Sequence, residues 1–187
     1  MRLVTFRYEG NQRIGARVDH RIIDLNVACE EMLKSKGQLR AKQIAQAYVP
    51  ADMVEFLQGG EESMAMAKEA VDFALHSGTH FPRNVVLPVS KVRMEAPVQN
   101  PGKMICVGHN YREHILEMKR ELPSYPVLFS KFSNAIIGPE DEIPYYPFSE
   151  QMDYEAEFAF VIGKIARNVI FLIEGDELTQ HCRSGHD

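Results

Sequence analysis

Cysteine is scarce in this 187-residue chain: Cys29, Cys106 and Cys182 are odd in number, far apart and without paired spacing. That excludes a disulfide framework or a cysteine-based zinc site and predicts free thiols in a reducing compartment, hence a cytoplasmic location. Positive charge is also in short supply. Lys and Arg number 21 against 26 Asp and Glu, giving a formal charge of -5, and the basic residues form neither a run nor a stripe. A nucleic-acid surface is therefore not expected. Long apolar runs are missing as well: none approaches the length needed to span a bilayer, and Met1 to Phe6 alternates toward a strand instead of forming a signal-peptide core. No membrane partner is implied.

What remains is an ordinary globular composition. Apolar residues make up 45% of the chain, enough to bury a real core in one domain or two small ones. Alternation over Leu3–Tyr8, Ile14–Val18 and Arg21–Leu25, with turn residues between, predicts a three-stranded meander. The period then changes to that of helices. Asn26 is placed to cap a helix through Lys36 that ends at Gly37; a second is predicted over Arg40–Tyr48, a short turn from Pro50 to Leu57 and a longer helix over Glu61–His76. The proline-rich, valine-containing stretch Phe81–Pro101 reads as a connector, which sets a domain boundary near residue 98. Beyond it, Lys103–Val107 and Pro126–Lys131 read as strands, the first of them buried, with Asn110 capping a helix from Tyr111 to about Arg120. The expected class is α+β, with a small mixed domain over 1–98 and a strand-rich unit over 99–187.

The segment Asp153–Gly163 is an apolar stretch carrying Glu155 and Glu157. In a strand packed against a core these two would share a face, with α-carbons about 6.7 Å apart. Two like charges that close repel, and a divalent cation held by hard oxygen ligands relieves the repulsion; protection of an edge strand is the alternative use of such charges. Mg²⁺, Mn²⁺ or Ca²⁺ suits carboxylate donors, and a third protein ligand would be expected. In a helix after Asn110, His114 and Glu117 fall three residues apart on one face, where a carboxylate can hold and strengthen an imidazole base. Any acidic surface helix offers the same spacing. In Val127–Phe132, period two places Lys131 on one face with Val127 and Phe129. That cation either meets a substrate carboxylate or snorkels to water.

Taken in order, these segments resemble the fumarylacetoacetate hydrolase family. The resemblance rests on Lys103–Tyr111, His114 with Glu117, Leu128–Lys131, Ile137–Pro139, and Asp153–Gly163 continued to Val169. It implies that residues 99–187 begin the family's mixed β-sandwich roll. It further implies that Glu155 and Glu157 are metal ligands, that His114 and Glu117 form a water-activating dyad, and that Lys131 lies near the leaving fragment. The implied reaction is metal-dependent cleavage of a carbon-carbon bond in an acylpyruvate or β-diketo acid. Isomerisation or decarboxylation of hydroxy-dienedioates and hydration of keto-alkenoates are the alternatives within the family. The implied partners are a small keto-acid substrate and, for a complete chain, a second copy in a homodimer.

After Asn168–Val169 the family pattern dissolves. The third acidic ligand expected about thirty residues beyond the glutamates has only Asp187 near its place, in surroundings unlike the family's, and a second lysine and a glycine-rich loop are not found. A truncated, inactive chain is therefore the second expectation.

Overall fold

The computed structural model describes residues 1–76, 81, 84–163, 165 and 167. Strands β1 (Arg2–Tyr8), β2 (Asn11–Val18) and β3 (Arg21–Asp24) form the expected antiparallel meander. Two short strands, β4 (Val86–Pro88) and β5 (Arg93–Glu95), extend it at opposite edges to give the order β4-β3-β2-β1-β5. The stretch expected to be a connector therefore contributes both edges of the sheet. Its prolines fit because edge strands tolerate a missing donor.

Four helices follow the meander: α1 (Leu25–Ser35), α2 (Ala41–Tyr48), α3 (Met53–Gln58) and α4 (Gly60–His76). Helix α1 buries Leu25, Ala28, Cys29, Met32 and Leu33, a complete i, i+3, i+4, i+7, i+8 stripe. That stripe meets Ile14, Ala16 and Ile23 of the sheet and Ala45, Ala67 and Ala70 of the other helices in one core. Period two sends Phe6, Ile22 and Leu87 into a second, smaller cluster.

The cap of α1 is Asp24, not Asn26. Its carboxylate accepts from the Val27 N–H at 3.1 Å and also receives the Arg13 guanidinium, while Asn26 donates instead to the Val49 carbonyl at 2.6 Å. Burial pushes the Asp24 carboxyl above the usual carboxylate value, with Arg13 and the Val27 N–H pulling it back in part. The helix ends as predicted at Gly37, whose φ of 77° lets Gly37 N bond Lys34 O and Gln38 N bond Leu33 O.

Beyond β5, the strands β6 (Ile105–Gly108) and β7 (Val127–Ser130) pair antiparallel, with the short helix α5 (Arg112–Glu117) between them. Tyr111 rather than Asn110 occupies the N-cap, and no side-chain hydrogen bond caps the helix there. Strand β6 was expected to be buried, yet Ile105 is 65% exposed and β7 is exposed throughout. Nothing among the described residues is layered on this pair as the helices are layered on the first sheet. The loop after β7 docks on β5: Arg93 donates to Asp141 at 2.7 Å, and Asp141 accepts from the Gly138 N–H at 2.8 Å.

The chain divides into two units, 1–147 and 148–187. In the second, Asp153–Gly163 is not a strand. It has no ladder partner among the described residues, and Phe158 and Phe160 are exposed. A strand exists only through its pairing, so an alternating sequence without a neighbour stays irregular. The class is α+β, as expected.

Candidate active site

Helix α5 brings His114 and Glu117 onto one side, with His114 Nδ1 3.8 Å from Glu117 Oε2. Ile115 faces inward and is buried, while His114 and Glu117 keep 51% and 83% of their side-chain surface exposed. The separation is longer than a hydrogen bond and within ion-pair range. Catalytic pairs are commonly loose without substrate and tighten around it. After Glu117 the chain turns sharply: Lys119 has φ 56°, Lys119 N bonds Leu116 O at 3.0 Å and Arg120 N bonds Ile115 O at 3.1 Å. This is a helix end of the kind glycine usually makes, built here on lysine.

Lys131 follows directly on β7, and its ammonium lies 5.9 Å from the Phe129 ring centroid, the face-sharing that period two predicts. Across the ladder Cys106 stands opposite Phe129 and Gly108 opposite Val127. One contact had no signal in the sequence. His109, at φ 53° immediately after β6, meets Arg120 at 3.0 Å between His109 Nε2 and Arg120 Nη1.

Glu155 and Glu157 belong to the second unit. Both are exposed, and neither holds a hydrogen bond or ion pair among the described residues. Free, hard carboxylate oxygens fit Mg²⁺, Mn²⁺ or Ca²⁺ in chemistry, but two residues fall short of the roughly six oxygens such ions take. Among the described residues no group of three or more His, Cys, Asp or Glu is gathered to complete a shell. Asp187 and Cys182 lie outside the described residues.

These features define an α+β protein that carries an imidazole–carboxylate pair on a helix and a lysine just after a strand of one unit, with an exposed carboxylate pair in the next. Residues 103–181 match the family described as the fumarylacetoacetate (FAA) hydrolase C-terminal domain, and this stretch of the chain belongs to that family. It is 40% identical over 121 residues to oxaloacetate tautomerase fahd2, mitochondrial, of Xenopus laevis, covering 65% of this chain and 35% of that protein. It is 43% identical over 116 residues to oxaloacetate tautomerase FAHD2A, mitochondrial, of Bos taurus, covering 62% and 34%. A Dictyostelium discoideum homolog of fumarylacetoacetate hydrolase domain-containing protein 2 is 35% identical over 162 residues, covering 86% and 45%. The matched stretches thus span a third to under a half of these relatives' length. A Mycobacterium smegmatis chain assigned as HpcE superposes with a TM-score of 0.43 at 20% identity over 76% of this chain and 40% of its own. That likeness is too loose to bear on the chemistry. Among the described residues no helix is long and apolar enough to cross a membrane.

Proposed function

We propose that this chain is part of an enzyme that shifts a proton beside the keto group of a β-keto dicarboxylic acid of the oxaloacetate class. The observation that carries this reading is the His114–Glu117 pair, held 3.8 Å apart on α5 inside the family-matched stretch. The relatives named as oxaloacetate tautomerases supply the substrate class. The His114 imidazole takes the proton from the carbon between the two carbonyl groups and returns a proton to the enolate oxygen, so the keto acid becomes its enol with no net gain or loss of atoms. Glu117 orients the ring and balances the charge it acquires. The Lys131 ammonium attracts the substrate carboxylate or the developing enolate oxygen. Glu155 and Glu157 would hold Mg²⁺ or Mn²⁺, with Ca²⁺ as a third option, and such a cation would supply Lewis-acid chemistry.

A hydrolytic reading rests on the family description itself. In it the same dyad deprotonates water, which attacks an acylpyruvate carbonyl, and the carbon-carbon bond breaks to release an enolate. The free thiols of Cys29 and Cys106 suit a reducing compartment such as the cytoplasm. The exposed apolar surface of β6 and β7 suits coverage by a second copy in a homodimer.

Two assays decide between the reactions: decay of the oxaloacetate enol absorbance, and pyruvate release from an acylpyruvate, each with Mg²⁺ and with His114→Ala beside the wild type. Accelerated enol decay that disappears in His114→Ala supports the tautomerase. Pyruvate release without enol decay supports the hydrolase, and acceleration of neither overturns both for this chain. Calorimetric titration with Mg²⁺ tests the ligands separately. Equal affinity in a Glu155→Ala, Glu157→Ala double variant removes them from the metal site.

A further inference from the structure

Helix α5 is six residues long, too short to hold its own direction. Yet it must aim His114 and Glu117 consistently for either proposed reaction. Its two flanks are fixed in an unusual way. His109, before the helix, and Lys119, after it, both sit in the left-handed region at φ 53° and 56°, where non-glycine residues persist only if their surroundings over-determine them. Between those flanks runs the bond from Arg120 Nη1 to His109 Nε2 at 3.0 Å, joining the residue after β6 to the residue that closes the helix-terminating turn. The helix is thereby enclosed in a loop pinned at both ends. Both side chains are exposed, so the bond adds little to stability. Its effect is geometric.

We propose that His109 and Arg120 are positioning residues that set the direction of α5 and hence of His114 and Glu117; the catalytic half of this inference rests on the proton-transfer reading above. A guanidinium can only donate, so His109 must accept through Nε2 and carry its proton on Nδ1, the tautomer less favoured by a free imidazole.

Long-range nitrogen–proton correlation spectra of the full chain, recorded where imidazoles are neutral, read this tautomer directly. Wild type is expected to show the Nδ1–H form of His109, Arg120→Ala to revert to mostly Nε2–H, and Arg120→Lys, which keeps a donor, to restore part of the wild-type pattern. In the same spectra the His114 ring protons should move in Arg120→Ala and return in Arg120→Lys. An unchanged His109 tautomer in Arg120→Ala overturns the link, and an unmoved His114 ring overturns its positioning role; both are independent of activity. Where oxaloacetate turnover is present, Arg120→Ala should lower kcat about tenfold to a hundredfold with KM nearly unchanged. A proportional rise in KM alone would show that Arg120 binds substrate and would overturn the positioning assignment.

Discussion

His114 and Glu117 stand one helical turn apart with 3.8 Å between Nδ1 and Oε2, and both remain open to solvent. An exposed pair of this kind contributes little to folding. We therefore expect His114→Ala and Glu117→Gln to change unfolding free energy by no more than about 0.5 kcal/mol, while lowering turnover by about 10²–10⁴-fold if the pair transfers the proton. Urea unfolding and enol decay measured on the same preparations check both halves. Loss of stability matching the loss of turnover would make the pair structural.

Asp24 and Arg13 are the opposite case, since Asp24 is fully buried and both caps α1 and receives the guanidinium. Asp24→Ala strands the Arg13 charge and the Val27 N–H together, so a cost of about 2–4 kcal/mol is expected. The pH dependence has a definite sign. Burial raises the folded-state pKa above the ordinary carboxylate value, so the folded chain holds this proton more tightly than the unfolded one. The Asp24 contribution is then most favourable below that value and declines as pH rises toward the raised pKa. Urea unfolding across that window should show wild type losing stability relative to Asp24→Asn. A difference that grows with pH would mean that Arg13 outweighs burial.

The meander and the helices packed on it are legible in the sequence because their signals are local. The α1 stripe and the meander's alternation each follow from one segment's own periodicity, and Gly37 marks the helix end through its φ of 77°. The cap was misplaced because Asp24 and Asn26 are both good acceptors, and only the end of β3 at Asp24 selects between them. Edge strands β4 and β5 are three residues each, too short to show alternation. The stretch Asp153–Gly163 failed differently. Its period is plainly that of a strand, but pairing depends on a neighbour that the segment does not encode. In the candidate site, i,i+3 spacing is enough to anticipate the proximity of His114 and Glu117, and period two that of Lys131 and Phe129. The His109–Arg120 bond depends on two left-handed residues 10 positions apart, which no periodicity announces.

Gly15 shows how closely the sheet is packed. A Cβ placed there would lie 2.6 Å from Ile22 Cγ2, 2.9 Å from Phe6 Cε1 and 2.9 Å from the Ile23 carbonyl oxygen. Phe6 and Ile22 belong to the smaller core cluster and cannot withdraw without opening it. Gly15→Ala should therefore cost about 1–3 kcal/mol, measured as a lowered urea midpoint. Gly102→Ala, where nothing lies within 4 Å, serves as the control and should leave the midpoint in place. Equal effects at both positions would refute the packing argument.

Cys29 and Cys106 separate by environment. Cys29 is fully buried in the α1 stripe, and burial, reinforced by Glu69, pushes its thiol up to about 11. Thiolate is the reactive form, so Cys29 is protected twice, by access and by protonation. Cys106 lies on β6 opposite Phe129 and is partly exposed. In a Cys182→Ser background, iodoacetamide at about pH 8 should alkylate Cys106 at least tenfold faster than Cys29, as read by peptide mass spectrometry over time. Urea should bring the two rates together, because the difference comes from the fold. Comparable labelling in the native chain would mean that the α1 core opens on the timescale of the reaction, and it would contradict the packing of Cys29 against the sheet.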